Sequence, residues 1–252
     1  MDNLKIGTFN TKDYYGNMLY SGVDSKGNNH ALSLAEYIVD KNIDMLGTQE
    51  LVNGYIKRLE NLLPEYQIVG KYRQGINYPI SFANETNSIL TKHKISLVKT
   101  SWLPFIPNSV SEIAKGVFDI MPRIVTQAVV EIPNKGKICM FNTHLANKIE
   151  SVQIKQARAL LDVIRKVKTN LPLILTGDFN MELENPIFSE FVSELSKLGM
   201  NRVPNIQPTY KNLVLDHMFL SKEFKIDDIE VGDKTLDGAS DHKPVLVSAK
   251  IR

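Results

Sequence analysis

Cysteine is almost missing from this 252-residue chain. Its single copy, Cys139, excludes an internal disulfide, and a lone cysteine inside an apolar run reads as a small core residue. An excess of one charge is missing too: 30 basic against 28 acidic side chains leave a net charge of only +2. That argues against a strongly basic nucleic-acid binder, although a local basic patch can hide in a neutral total. No run approaches the roughly 18 apolar residues that cross a bilayer. The N-terminal MDNLKIGTFN has neither a basic n-region nor a long apolar h-region, which predicts no secretion. The expectation is a cytoplasmic monomer with no stable membrane association. Several catalytic signatures are lacking as well. Gly22 and Gly27 have P-loop spacing, but Asn28 and Asn29 stand where Lys and Ser/Thr are required. No G-x-G-x-x-G, G-x-S-x-G or H-E-x-x-H occurs, which disfavours dinucleotide binding, serine-hydrolase chemistry and zincin proteolysis.

What is present is a recurring pattern of short apolar runs that end in polar residues. KIGTFN ends at Asn10, IDMLGTQE at Glu50, and KICMFNTHL passes through Asn142 and His144. LPLILTGDFN ends at Asp178 and Asn180, and LVLDHMFLS carries Asp216 in its middle. Length and β-branched content favour strands. Helical patterns lie between them. Over 30–40 the apolar positions are Leu32, Ala35, Ile38 and Val39; over 151–168 they are Ile154, Ala157, Leu160, Leu161, Ile164 and Val167. Over 187–198, Ile187, Phe188, Phe191, Val192, Leu195 and Leu198 repeat the spacing. Alternating strands and helices predict an α/β fold, and the absence of a linker or composition shift predicts one domain over 1–252. TFNT (8–11) and MFNTH (140–144) each precede a helix and then a polar-ended strand, a faint echo of two half-domains facing one site. The stretch 100–122, with the only tryptophan (Trp102) and three prolines, predicts a connection tucked against the core, with a substrate-facing flap as the alternative.

Asn, Asp, Glu and His at strand ends suit a hard cation such as Mg²⁺ or Mn²⁺ better than zinc. Such a set also suits phosphate chemistry, in which cation and imidazolium neutralise phosphoryl oxygens and a carboxylate orients water. TFN, TQE, NTHL, GDFN, LDHMFLS and SDHKPV occur in that order from residue 8 to residue 245. In order and form they resemble the endonuclease/exonuclease/phosphatase superfamily, metal-dependent phosphohydrolases related to DNase I. The resemblance implies a four-layer α/β sandwich, two face-to-face mixed sheets flanked by helices. It also implies residue roles. Glu50 would be the principal ligand of Mg²⁺ or Mn²⁺, assisted by Asn10 and Asp241. Asp178 would orient or deprotonate the attacking water, and Asn180 would fix that water or a phosphate oxygen. His144 and His242 would contact the scissile phosphate, Asp216 would fix the tautomer and charge of His242, and Arg123 would support the phosphate site.

Taken singly, these residues have plainer readings. Asn10 and Asp216 could be turn formers, Glu50 a solvated charge before a helix, Arg123 an ion-pair partner and His144 a core histidine. Their company in one order favours the functional reading. His30, His93 and His217 are assigned structural roles, His217 because strand alternation turns it away from Asp216. The substrate is a phosphoester of open class, with nucleic acid one candidate. GDFN with NTHL resembles the phosphodiesterase and phosphatase branches more than the abasic endonucleases, which tend to carry GDLN and a tyrosine in place of His144. A nuclease is the enzymatic alternative; a sphingomyelinase-like enzyme or a scaffold without chemistry ranks below it.

Overall fold

The computed structural model describes residues 3–12, 29–75, 85–116, 120–167, 170–232 and 240–252. Gly22, Gly27 and Asn28 lie outside them, and Asn29 is the N-cap of the first helix. The first half of the chain runs β1 (Leu4–Asn10), α1 (His30–Asp40), β2 (Met45–Leu51), α2 (Asn53–Leu62), β3 (Gln67–Val69), β4 (Thr86–Thr91), β5 (Lys94–Leu103) and α3 (Val110–Ile113). The second half runs β6 (Arg123–Ile132), β7 (Gly136–His144), α4 (Glu150–Lys166), β8 (Leu173–Asp178), α5 (Pro186–Lys197), β9 (Met200–Arg202), β10 (Asp216–Ser221), β11 (Phe224–Val231) and β12 (Val245–Ile251).

The strands form two mixed six-stranded sheets, ordered β11-β12-β1-β2-β4-β3 and β5-β6-β7-β8-β10-β9. Each holds one parallel pair at its centre, β1 with β2 and β7 with β8, and each pair is joined through a helix, α1 or α4. Antiparallel strands flank both pairs. The TFNT and MFNTH echo therefore marks two β-α-β units of the same connectivity. In a parallel pair the strand C-termini share one edge, so the sheets deliver Asn10 and Gln49 from one side and His144 and Asp178 from the other.

Apolar packing makes four layers. Ile6, Met45, Ile89 and Val247 of the first sheet meet Val130, Met140, Ile174 and Met218 of the second. Leu34, Ile38, Tyr55 and Leu59 of α1 and α2 cover the outer face of the first sheet. Leu160, Ile164, Phe188 and Phe191 of α4 and α5 cover the second. Between the apolar core and the site lies a polar seam. Asn142 donates to the carbonyls of Thr48 at 2.7 Å and Ser88 at 2.8 Å, while its oxygen accepts from Gln49 at 2.7 Å and Thr176 at 3.1 Å. All of these side chains are buried, so the seam fixes one sheet against the other by directional bonds, where apolar contact alone would not set a register. A Cβ on Gly47 would lie 2.2 Å from Thr176 Oγ1 and 2.6 Å from Asn142 Oδ1; only glycine admits this approach.

Several expectations shift. Leu32 and Val39 are exposed, because the buried stripe of α1 runs through Ala31, Leu34, Ala35 and Ile38. Leu198 is exposed as the C-cap residue that ends α5. Asp216, in the middle of the LVLDHMFLS run, is the first residue of β10, since the strand does not extend back over residues 213–215; the antiparallel register sets it directly opposite Asp178. The stretch 100–122 is not tucked in. It begins as the end of edge strand β5, and Trp102, Ile106 and Val110 are exposed, while the indole N–H of Trp102 donates to the Arg73 carbonyl at 2.8 Å. Glu112 docks the segment on α4 through Ser151 at 2.7 Å, and residues 117–119 lie outside the description. No helix among the described residues is long and apolar enough to cross a membrane.

Candidate active site

Backbone irregularities turn the site residues inward. In β2, Gln49 and Glu50 stand opposite the single Asn87 of β4, since Thr48 pairs with Ser88 and Leu51 with Thr86. Glu50 takes φ 57° there, a bulge that re-aims one side chain. Gln49 consequently enters the seam while Glu50 meets Asn10 in the cleft. Asn180 (φ 52°) and Lys12 (φ 49°) are also left-handed. Non-glycine residues adopt this conformation only where surrounding structure enforces it, and such residues gather at functional sites.

The centre is Asp178. Its Oδ2 accepts from Asn10 Nδ2 at 2.9 Å, and its Oδ1 accepts from the Asn180 backbone N–H at 2.8 Å. The same Asn10 amide donates to Glu50 Oε1 at 3.1 Å, bridging the two carboxylates. Two imidazoles flank Asp178 Oδ2: His144 Nε2 at 3.6 Å and His242 Nε2 at 3.8 Å. Phe179, between Asp178 and Asn180, points back among Phe188, Phe191, Phe219 and His217 and anchors the turn. His217 faces away from the cleft, as alternation predicts, and its Nε2–H donates to the Met181 carbonyl at 3.0 Å while Nδ1 accepts from Arg202 at 3.1 Å.

The two flanking histidines differ in charge. Burial pushes His242 down, but the Asp216 carboxylate, 2.8 Å from its Nδ1, overrides that and lifts it to about 10. His144 is held well below the usual histidine range, first by burial and then by the charges of Arg123, Arg73 and His242. Its Nε2 accepts an amide N–H of Asn180 at 3.0 Å, so the neutral ring carries its proton on Nδ1, facing Glu50 at 3.9 Å. Asp178 is raised out of the usual carboxylate range, by burial first and the Asp216 charge second. One imidazolium, one neutral imidazole and one carboxylate of raised basicity thus share a point at the cleft floor.

The cleft has a volume of about 460 Å³, and Arg123 and Asp241 stand in its wall with Glu50, His144, Asp178, Asn180 and His242. Seven of the nine residues given site roles from the sequence line this cleft; Asn10 and Asp216 adjoin it through hydrogen bonds to Glu50 and Asp178 and to His242. Lys12, Asn147, Lys148, Tyr210 and Leu213 line it too without having been anticipated. Lys12 stands two residues past Asn10, a basic residue at a strand end, and that was the available signal. Tyr210 comes close to His242 through an isolated β-bridge and a ring contact at 4.7 Å, a long-range pairing that no local pattern announces. Arg73, whose charge also reaches His144, is buried and paired with Glu85 at 2.5 Å.

Among the described residues at the cleft, two groups of side chains could hold a cation. Ligand atoms of Asp178, Asp216 and His242 lie within 4.8 Å of one another, but all three residues are buried and His242 is already a cation bonded to Asp216. Glu50 and Asp241, whose side chains are 20% and 33% exposed, form the better hard-oxygen set, open to a hydrated ion, with the Asn10 carboxamide adjoining.

The model of the Endonuclease/Exonuclease/phosphatase family matches residues 9–242. The chain belongs to that family. Solved structures agree in fold. An endonuclease/exonuclease/phosphatase from Bacteroides vulgatus aligns over all of both chains at 21% identity and a TM-score of 0.80. A mannosyl-6-phosphatase of Bacteroides thetaiotaomicron shares 22% identity over 98% of this chain and 100% of its own, with a TM-score of 0.76. The human Nocturnin catalytic domain, solved with bound sulfate, shares 16% identity over 100% and 97%, also with a TM-score of 0.76. At these identities the likeness concerns the family fold. No curated protein sequence matches the chain.

Proposed function

We propose that this family member is a divalent-metal-dependent hydrolase of phosphoesters, acting through in-line attack of water on phosphorus. The observation that carries the reading is Asp178, buried with raised basicity between an imidazolium and a neutral imidazole. Glu50 and Asp241 would hold Mg²⁺ or Mn²⁺, with Asn10 setting Glu50 against Asp178; the bound ion would neutralise phosphoryl oxygens. Asp178 accepts a proton from the water, while Asn180 fixes the water or a phosphate oxygen from the adjacent turn. His242, charged through Asp216, stabilises the negative charge that grows on the phosphoryl group. Arg123 adds a second cation, and neutral His144 donates from its ring. Both monoesters and diesters are open to this geometry. Family membership and the phosphatase and sulfate-bound neighbours support a phosphate-directed site.

The test is turnover of p-nitrophenyl phosphate, bis-p-nitrophenyl phosphate, a hexose 6-phosphate, inositol phosphates, RNA and plasmid DNA, each with Mg²⁺, Mn²⁺ or EDTA. Activity is expected with either ion and not with EDTA. Asp178→Asn, which keeps the side-chain shape, is expected to lower kcat by about 10²–10⁴-fold. Turnover that survives EDTA sinks the metal mechanism, and an unimpaired Asp178→Asn removes Asp178 from its role.

A further inference from the structure

Lys12 Nζ lies 2.6 Å from Asp241 Oδ2, and both side chains are about one-third exposed. An ordinary surface pair of this kind is loosely held and contributes little. This one is built in. The left-handed backbone at Lys12 is one that L-residues avoid, and it is stabilised by its N–H donating to Asn10 Oδ1 at 2.9 Å. Ser240 then ties the two segments together: its hydroxyl donates to the Asn10 carbonyl at 2.6 Å and accepts from the His242 N–H at 3.0 Å. The corner Asn10–Thr11–Lys12 is thereby locked against Ser240–Asp241–His242, and the ammonium falls on a carboxylate of the cation site.

We infer that Lys12 is an internal counter-ion that competes with the divalent metal for Asp241, an assignment that rests on the cation site proposed above. Without metal, the ammonium neutralises Asp241 and relieves the repulsion among Glu50, Asp178 and Asp241. When the ion binds, it must displace Lys12 Nζ from the carboxylate and meet the repulsion of a nearby positive charge. Lys12 accordingly sets the metal affinity of the site low and keeps exchange fast. The displaced ammonium stays in the cleft wall, where it adds a cation on the side from which an anionic substrate enters.

The experiment reads metal binding directly, by the loss of the free-Mn²⁺ electron paramagnetic resonance signal on titration into the EDTA-stripped protein. Lys12→Met keeps the aliphatic stem and removes the charge; it is expected to tighten Mn²⁺ binding by about tenfold, the order of one unit charge acting across a partly exposed site. Lys12→Arg should bind like the wild type. In an Asp241→Asn background, where the ion pair no longer exists, Lys12→Met should have a much smaller effect, so the two changes couple. Equal or weaker Mn²⁺ binding by folded Lys12→Met overturns the counter-ion role while leaving the metal site standing. Absence of Mn²⁺ binding by wild type and Lys12→Met alike overturns the metal site and this role together. Glu50→Gln, expected to weaken binding in every background, separates site binding from stray surface binding.

Discussion

At the scale of single residues, the candidate site gives chemically similar groups unlike surroundings. His144 and His242 are both buried and both face Asp178. What separates them is their partners: Asp216 for one, and Arg123 and Arg73 for the other. The consequence is testable through pH. A histidine lifted to about 10 remains an imidazolium throughout the neutral range and loses its proton only in alkali. If that charge serves the transition state, kcat falls on the alkaline side as His242 deprotonates. Asp216→Asn keeps a hydrogen-bonding group at Nδ1 but removes the main raising influence, so the alkaline limb is expected to move to lower pH by more than one unit. The pH–rate profile of kcat for wild type and variant makes the check. An uncharged His242 bonded to a buried carboxamide would also make the variant weaker at pH 8 than at pH 6, whereas the wild type gains activity over that range as Asp178, lifted to about 7, gives up its proton. An unmoved limb would place the alkaline transition on another group.

At the scale of elements, the decisive features are a bulge and a close approach. Strand β2 supplies Gln49 to the inter-sheet seam and Glu50 to the cleft because two residues stand opposite Asn87. The TQE motif pointed to Glu50; the bulge that aims it into the cleft could not be read, since alternation alone sends neighbouring residues to opposite faces in any strand. The strands ending at Asn10, His144 and Asp178 were legible because a parallel pair must bury continuous apolar runs and release polarity at its ends. Asp216 was legible as a residue and misplaced within its strand, because Leu213 to Leu215 extend the apolar run ahead of β10. The loop carrying Tyr210 was not legible: its pairing with His242 joins residues with no shared local pattern. Gly47 sits where β2 passes the seam. Gly47→Ala would drive a methyl group into Thr176 and Asn142, forcing the seam apart or the strand outward. Overpacking costs about 1–3 kcal/mol, and a severed buried hydrogen bond about 1–3 kcal/mol more, so Gly47→Ala is expected to lower unfolding free energy in urea by about 3 kcal/mol or more. A loss below about 1 kcal/mol would show that the seam relaxes freely.

At the scale of the whole molecule, two β-α-β units of matching connectivity place their strand C-termini at one edge, and the candidate site sits where they meet. The short TFNT and MFNTH echo made that plan visible, while the packing that turns it into four layers depends on which face of each strand is apolar. Buried titratable groups behind the cleft tie this plan to pH. His217 is pushed down to about 4, chiefly by burial, and its hydrogen bonds to Met181 and Arg202 hold the GDFN turn from behind. Its folded pKa lies below the unfolded value of about 6.5, so the unfolded chain takes up the proton first. The stability it contributes is therefore complete above about pH 6.5 and is lost as pH falls toward 4, amounting to about 3 kcal/mol for a shift of this size. His144, also depressed, adds to the loss in acid; Asp178, raised to about 7, offsets part of it as pH falls from 7 to 4, while the contribution of His242, raised to about 10, is already complete below about pH 6.5. A single variant isolates the first contribution. His217→Gln can accept from Arg202 and donate to Met181 without titrating. It is expected to be somewhat less stable than wild type at pH 7, yet to lose about 3 kcal/mol less between pH 7 and pH 4. Urea unfolding at several pH values measures the difference in slope, and parallel curves for the two proteins would mean that folding does not depress the pKa of His217.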